Sequence, residues 1–136
     1  MAKPRIYIDS GILILASQAQ EGDIAERAIQ ELDRDAVFLY SSIVELETVP
    51  QPTINNRPEQ VAMLNDFFAR AERIECGPQA QAVAFREACK KPGLDAADAL
   101  HVGCAIVGEA EELVTREKPA RTLPQATGIR VRTIAV

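Results

Sequence analysis

The chain has 136 residues, a net charge of −5 and 47% hydrophobic residues, with aromatics at 4% and no Trp. That size suits one domain, residues 1–136, whose core is built from Ala, Ile, Leu and Val. No apolar run is long enough to span a bilayer, and the acidic balance disfavours broad electrostatic binding to nucleic acid. MAKPRIYI lacks the pattern of a secretory signal. Cys76, Cys89 and Cys104 are scattered and form neither a disulfide framework nor a CxxC knuckle. The expectation is a reduced, cytosolic protein with no membrane association.

In chain order, Arg5–Ile8 is predicted as a strand, since its residues favour β structure and Ser10-Gly11 break the run. A short helix follows from Ile12 to about Gln20. A second covers Asp23–Leu32, with Ile24, Ala28 and Ile29 on one side and Glu26, Arg27 and Glu31 toward water. AVFLY, Ala36–Tyr40, reads as a fully buried strand. Ser41 or Ser42 caps a helix through Ile43–Thr48, and Pro50 and Pro52 end it. Pro58 opens a helix to about Arg73, with Val61, Leu64 and Phe68 on its apolar face. Arg73–Cys76 is a short strand, and a helix runs from Gln79 to about Lys90 before the stop at Lys91-Pro92-Gly93. Asp95 to about Val107 is a buried, Ala-rich helix. Glu112–Thr115 and Ile129–Val136 are the last strands, joined by an irregular basic segment. Strands alternating with helices predict a three-layer α/β/α fold with a mostly parallel sheet.

Such sheets carry functional groups at the carboxyl ends of their strands. Asp9 ends the first strand, Glu47 lies on the helix after the second, Asp98 is in the first turn of the Ala-rich helix, and Glu117 follows ELVT. Each can reach one end of the sheet. Carboxylates held that close repel unless a divalent cation joins them, and hard oxygen ligands suit Mg²⁺ or Mn²⁺.

Four segments carry a family resemblance. IYIDSGILI resembles the opening strand of PIN-domain nucleases. YSSIVELE is similar to the second segment, with Ser41 and Glu47 in the places of its Ser and Glu. LDAADALHVGCAIV is similar to the third, with Asp98 in place of its Asp. ELVTREK resembles the fourth, usually Thr-Arg-Asp, with Thr115 and Arg116 in place. The likeness runs in order from Ile6 to Lys118, which makes four weak motifs a fairly specific set. It implies a sheet with helices on both faces and Mg²⁺- or Mn²⁺-dependent cleavage of single-stranded RNA. Many small members are VapC-type toxins held inactive by an antitoxin protein, and many are homodimers.

On this resemblance Asp9 and Asp98 are the main metal ligands. Glu47 binds the metal directly or through water, or accepts a proton from the attacking water, and Glu117 completes the shell. Thr115, and in the same way Ser10, orients a water, carboxylate or phosphate. Glu117 departs from the family's Asp; its longer stem would shift a second metal. Glu45 lies roughly opposite Glu47 on a helix, so one of the two faces the site, and the spacing from Ser41 selects Glu47. Arg116, Lys118, Arg121, Arg130 and Arg132 form a local basic strip suited to an RNA backbone. With few aromatics to stack on bases, no sequence-selective reading of RNA is visible.

Plainer readings exist for each residue. Asp95 can be an N-cap with Asp98 as its N3 partner, Asp9 can open a turn, and Glu47 and Glu117 can be solvated acids. His101, the single histidine, reads as a satisfied core residue, and Cys104 as core packing. Two other functions are compatible with the residues. One is a phosphoacceptor or phosphatase-like domain using Asp9 with Thr115 and Lys118. The other is a PIN-like module that binds RNA or protein without cutting.

Overall fold

A computed structural model describes residues 2–135; Val136, the end of the last predicted strand, lies outside them. Five strands, β1 (Arg5–Ile8), β2 (Val37–Ser41), β3 (Glu72–Ile74), β4 (Glu112–Thr115) and β5 (Arg130–Thr133), form one sheet in the order β3-β2-β1-β4-β5. Every neighbouring pair is parallel. Parallel pairing requires crossovers, and these carry α1 (Ser10–Ser17), α2 (Asp23–Leu32), α3 (Ser42–Thr48), α4 (Pro50–Ile54), α5 (Pro58–Arg70), α6 (Pro78–Lys90) and α7 (Ala96–Val107). Only β4 and β5 are joined without an α-helix, through a segment holding one 3₁₀ turn, Leu123–Gln125.

Strand alternation assigns the two faces of the sheet. Register pairs Ile6 with Phe38 and Tyr7 with Leu39. Phe38 and Tyr40 pack at tilted and edge-on angles against Phe67 of α5, with the guanidinium of Arg70 over the Phe38 ring. Tyr7 points the other way, toward His101 of α7. The core is aliphatic and continuous, with Ile6, Ile8, Ile12, Leu39, Val44, Val102, Leu113 and Leu123 fully buried. On α5 Phe67, rather than Phe68, is the deeper ring. Helices α6 and α7 pack closely because Gly103 has no side chain. A Cβ there would lie 2.4 Å from the Ala80 carbonyl oxygen. Among the described residues no helix is long and apolar enough to cross a membrane.

The wholly parallel sheet agrees with the α/β/α expectation. Several finer expectations need correction. Helix α1 begins at Ser10, because Asp9 caps it, and stops at Ser17. Helix α3 ends at Thr48 as expected, but Pro50 also opens α4, where its missing amide costs nothing at the first position. Strand β3 starts one residue early and ends at Ile74. Glu31, predicted to face water, is buried, and Arg132 grips both its oxygens at 2.8 Å. Arg132 also binds Glu112 at 2.8 Å, and Arg34 reaches both acids. Burial works against the Glu31 carboxylate, but Arg132 and Arg34 hold it below its ordinary range. The cluster ties α2, β4 and β5 together at the amino end of the sheet. Arg132→Ala leaves two buried acids with half-exposed Arg34 as their remaining close cation, so unfolding free energy should fall by about 3 kcal/mol in denaturant titrations. A change under about 1 kcal/mol would show that the cluster is solvated in solution.

Candidate active site

The carboxyl ends of β1, β2 and β4 are neighbours in the sheet, and three of the four predicted acids are set there by local rules. Ile8 pairs with Val114, so Asp9 and Thr115 follow side by side. Asp9 caps α1 through Oδ1, which accepts the Ser10 amide at 2.8 Å. Its Oδ2 accepts the Thr115 hydroxyl at 2.7 Å. Thr115 Oγ1 in turn accepts the Glu117 amide at 3.1 Å, which shapes the turn that carries Glu117. Asp98 comes from α7, where Asp95 is the N-cap and accepts the Asp98 amide at 2.8 Å. The capping reading therefore holds for Asp95. The Asp98 carboxylate itself has no hydrogen bond or ion pair among the described residues.

Glu47, on α3, turns inward, and its Oε1 accepts the Ser10 hydroxyl at 2.8 Å. Glu45 turns away to Arg73 at 2.7 Å, as the spacing from Ser41 predicts. Asp9, Glu47, Asp98 and Glu117 line one open depression of about 420 Å³ together with Ser10, Gly11, Ile14 and Arg116. Gly11 leaves room there for Arg116. A Cβ on it would lie 2.6 Å from the Arg116 stem, which crosses the start of α1. Lys118 and Arg121 are exposed on the loop beyond Glu117. The rest of the predicted basic strip is elsewhere. Arg132 is spent on Glu31 and Glu112, and Arg130 sits 3.9 Å from Glu112, at the opposite end of β4 from Thr115.

The electrostatics are those of crowded acids. Burial, then the charges of Asp95, Glu117 and Asp9, push Asp98 up to about 7. Burial and Asp9 also raise Glu117, with Arg121 and Arg116 opposing. Glu47 is held below its usual value, chiefly by its hydrogen bond to His101.

His101 is the site residue that the sequence reading missed. It is 1% exposed and fully satisfied, as a core histidine should be, but its partners belong to the site. Nε2 lies 2.5 Å from Glu47 Oε1 and 3.8 Å from Asp9 Oδ1. Nδ1 meets the Tyr7 hydroxyl at 2.8 Å, and that hydroxyl meets Ser41 Oγ at 2.8 Å. Burial alone would lower His101, but Glu47 and Asp9 lift it above the ordinary value. Ser41 thus ends a buried chain of hydrogen bonds and does not line the depression. The signal was available: His101 is three residues after Asp98, one turn along the same helix face.

The donor set fits a hard divalent cation of one kind. Among the described residues, no three Asp, Glu, His or Cys side chains converge at ligand spacing. Asp9 is occupied by Ser10 and Thr115, and Glu47 by His101 and Ser10. An all-protein cage is therefore absent. Mg²⁺ needs none, since it keeps most of its water and takes one or two carboxylates plus substrate phosphate oxygens. Asp98, unpaired among the described residues, is the carboxylate that would be free for such an ion.

Asp98 also predicts a pH dependence. Its folded value lies above its unfolded value, so the folded state binds the proton more tightly. Metal-free stability should fall as pH rises from about 4 through 7. Asp98→Asn should remove this slope and raise stability at pH 8 by roughly 1–2 kcal/mol after solvent screening. Thermal melts in EDTA at pH 5 and pH 8 would check it. Parallel pH slopes for the two proteins would contradict the crowding.

No protein-family model matches the chain, and no curated protein matches it. Solved structures do. A chain of a toxin-antitoxin complex from Klebsiella pneumoniae is 17% identical, with a TM-score of 0.75 over 96% of this chain and 99% of that one. A chain of VapBC2 from Rickettsia felis, solved on a DNA fragment from its promoter, is 16% identical, with a TM-score of 0.73 over 95% and 98%. VapC20 from Mycobacterium tuberculosis, described as a Sarcin-Ricin loop cleaving toxin, is 12% identical, with a TM-score of 0.66 over 92% and 98%. The parallel sheet, its flanking helices and these alignments define a PIN-like α/β fold. It is the fold of VapC-type toxins.

Proposed function

We propose that the protein is a metal-dependent endoribonuclease that hydrolyses single-stranded RNA, and the toxin of a toxin-antitoxin pair. The observation that carries the reading is the depression into which four chain segments send Asp9, Glu47, Asp98 and Glu117. The fold is shared with toxins, several of them solved together with their antitoxins. The reading includes an antitoxin partner, a homodimer, a cytoplasmic location and Mg²⁺ or Mn²⁺ as cofactor.

Asp98 and Asp9 would hold the ion, with Glu47 and Glu117 reaching it through water. The bound ion supplies a lowered water pKa and neutralises charge developing on the phosphoryl oxygens. Glu47 carries both of its hydrogen bonds on Oε1, which leaves Oε2 to accept a proton from the attacking water. Thr115 keeps Asp9 oriented, and Arg116 at the rim, with Lys118 and Arg121 beyond it, binds the RNA backbone.

The test is cleavage of generic single-stranded RNA with Mn²⁺ or Mg²⁺ and with EDTA. Cleavage that persists in EDTA would sink the metal role. A non-cutting binding module is the second reading. It is favoured by the open spacing of the acids and by Glu117 in place of Asp; Mn²⁺ binding without cleavage would select it.

A further inference from the structure

A second cleft, of about 210 Å³, opens beside the acids, and Ile14 and Glu47 line both. Five of the chain's eleven carboxamides, Gln18, Gln20, Gln51, Asn55 and Gln60, line it. Gln18 and Gln20 follow the end of α1, Gln51 and Asn55 lie on α4 and its C-cap, and Gln60 lies on α5. Only Gln60 spends its side chain within the protein, on Ser17 at 3.1 Å. The other four have no side-chain hydrogen bond among the described residues. Arg57 is the cleft's single cation, and Ile14 and Pro52 supply apolar surface.

The chemistry of this lining selects its ligand. A phosphate site would concentrate cations, and a site for an apolar segment would be walled by aliphatic residues. Carboxamides instead offer a donor and an acceptor on one planar group, which matches the edge of a nucleobase. The volume is below that of pockets for drug-sized ligands, so it suits one base. Single-stranded RNA can splay a base into such a cleft and have its edge read there.

We propose that this cleft is a base-recognition subsite. It takes one unpaired base next to the scissile phosphate and gives cleavage a sequence preference at that position. The inference rests on the nuclease reading for its position beside the chemistry, but base binding can be measured without cleavage.

Two measurements test it, both on the full chain with Gln51→Ala, Asn55→Ala and the double variant. These side chains are exposed, so the variants should fold. In the first, a randomised single-stranded RNA pool is cut with Mn²⁺ and the product ends are sequenced. The wild type should favour one base at one position by roughly 5- to 100-fold, and the double variant should flatten that ratio. In the second, metal-free protein is titrated with 2′-O-methyl tetranucleotides differing in one base. Affinity should differ between bases for the wild type and not for the double variant. Discrimination in binding with no cleavage would keep the subsite and remove the nuclease reading. A wild type that does not discriminate, or variants that discriminate equally well, would overturn the subsite and leave the cleft to a protein segment.

Discussion

Asp9→Asn should lower metal-dependent RNA cleavage by at least about 100-fold and leave the fold intact. Loss of an outer-shell partner of a metal ligand already costs roughly 10–100-fold, so loss of a direct ligand should cost more. Asn is chosen because Asp9 has two duties. It caps α1 through the Ser10 amide and accepts the Thr115 hydroxyl. Asn caps a helix as well as Asp does, and its carbonyl oxygen can still accept a hydrogen bond. The variant therefore removes the charge and spares the cap. Thermal unfolding should change by less than about 1 kcal/mol. Asp9→Ala would confuse the two duties, since the lost cap alone costs about 1 kcal/mol. Full cleavage by a folded Asp9→Asn protein would remove Asp9 from the reaction.

His101→Asn should reduce kcat by roughly 10- to 100-fold with little change in KM. His101 is a positioning residue: it meets Glu47 through Nε2 while Tyr7 holds Nδ1. Asn reaches only toward Tyr7, whereas His101→Gln can place an amide near the lost Nε2. The Gln variant should therefore keep more activity than the Asn variant. Both should lose stability, by about 1–3 kcal/mol, because each leaves a buried polar partner unmet. A purely structural histidine would lower stability without separating Gln from Asn in kcat. Because the chain has one histidine, ¹⁵N-labelled imidazole gives an independent readout. Its resonances should move in both Glu47→Gln and Tyr7→Phe. An imidazole indifferent to Glu47→Gln would end the positioning role.

Much of this was legible in one dimension. The strand and helix alternation and the placing of four acids at one end of the sheet follow from hydrophobic period and spacing. The family resemblance added the choice of Glu47 over Glu45, and Thr115 and Arg116. Where the reading failed on Glu31 and Arg132, a long-range partner was responsible. Glu31 looked solvated because its neighbours on α2 are polar, and its bidentate partner in the fold, Arg132, lies 101 residues away. The same pair withdrew Arg132 from the basic strip. Pro50 looked like a terminator because a proline that ends one helix and a proline that begins the next are the same residue in sequence.

The chain by itself determined a parallel α/β sheet and the identity of the acids at its carboxyl edge. Those follow from local preference, periodicity and the geometry of parallel crossovers, which act over a few residues at a time. The tertiary structure decided which groups share a hydrogen bond: His101 with Glu47 and Tyr7, Thr115 with Asp9, and the free carboxamides gathered beside Glu47. Those contacts depend on how α1, α3, α4 and α7 pack against one another. Packing is set by side chains far apart in the chain, which no local pattern records.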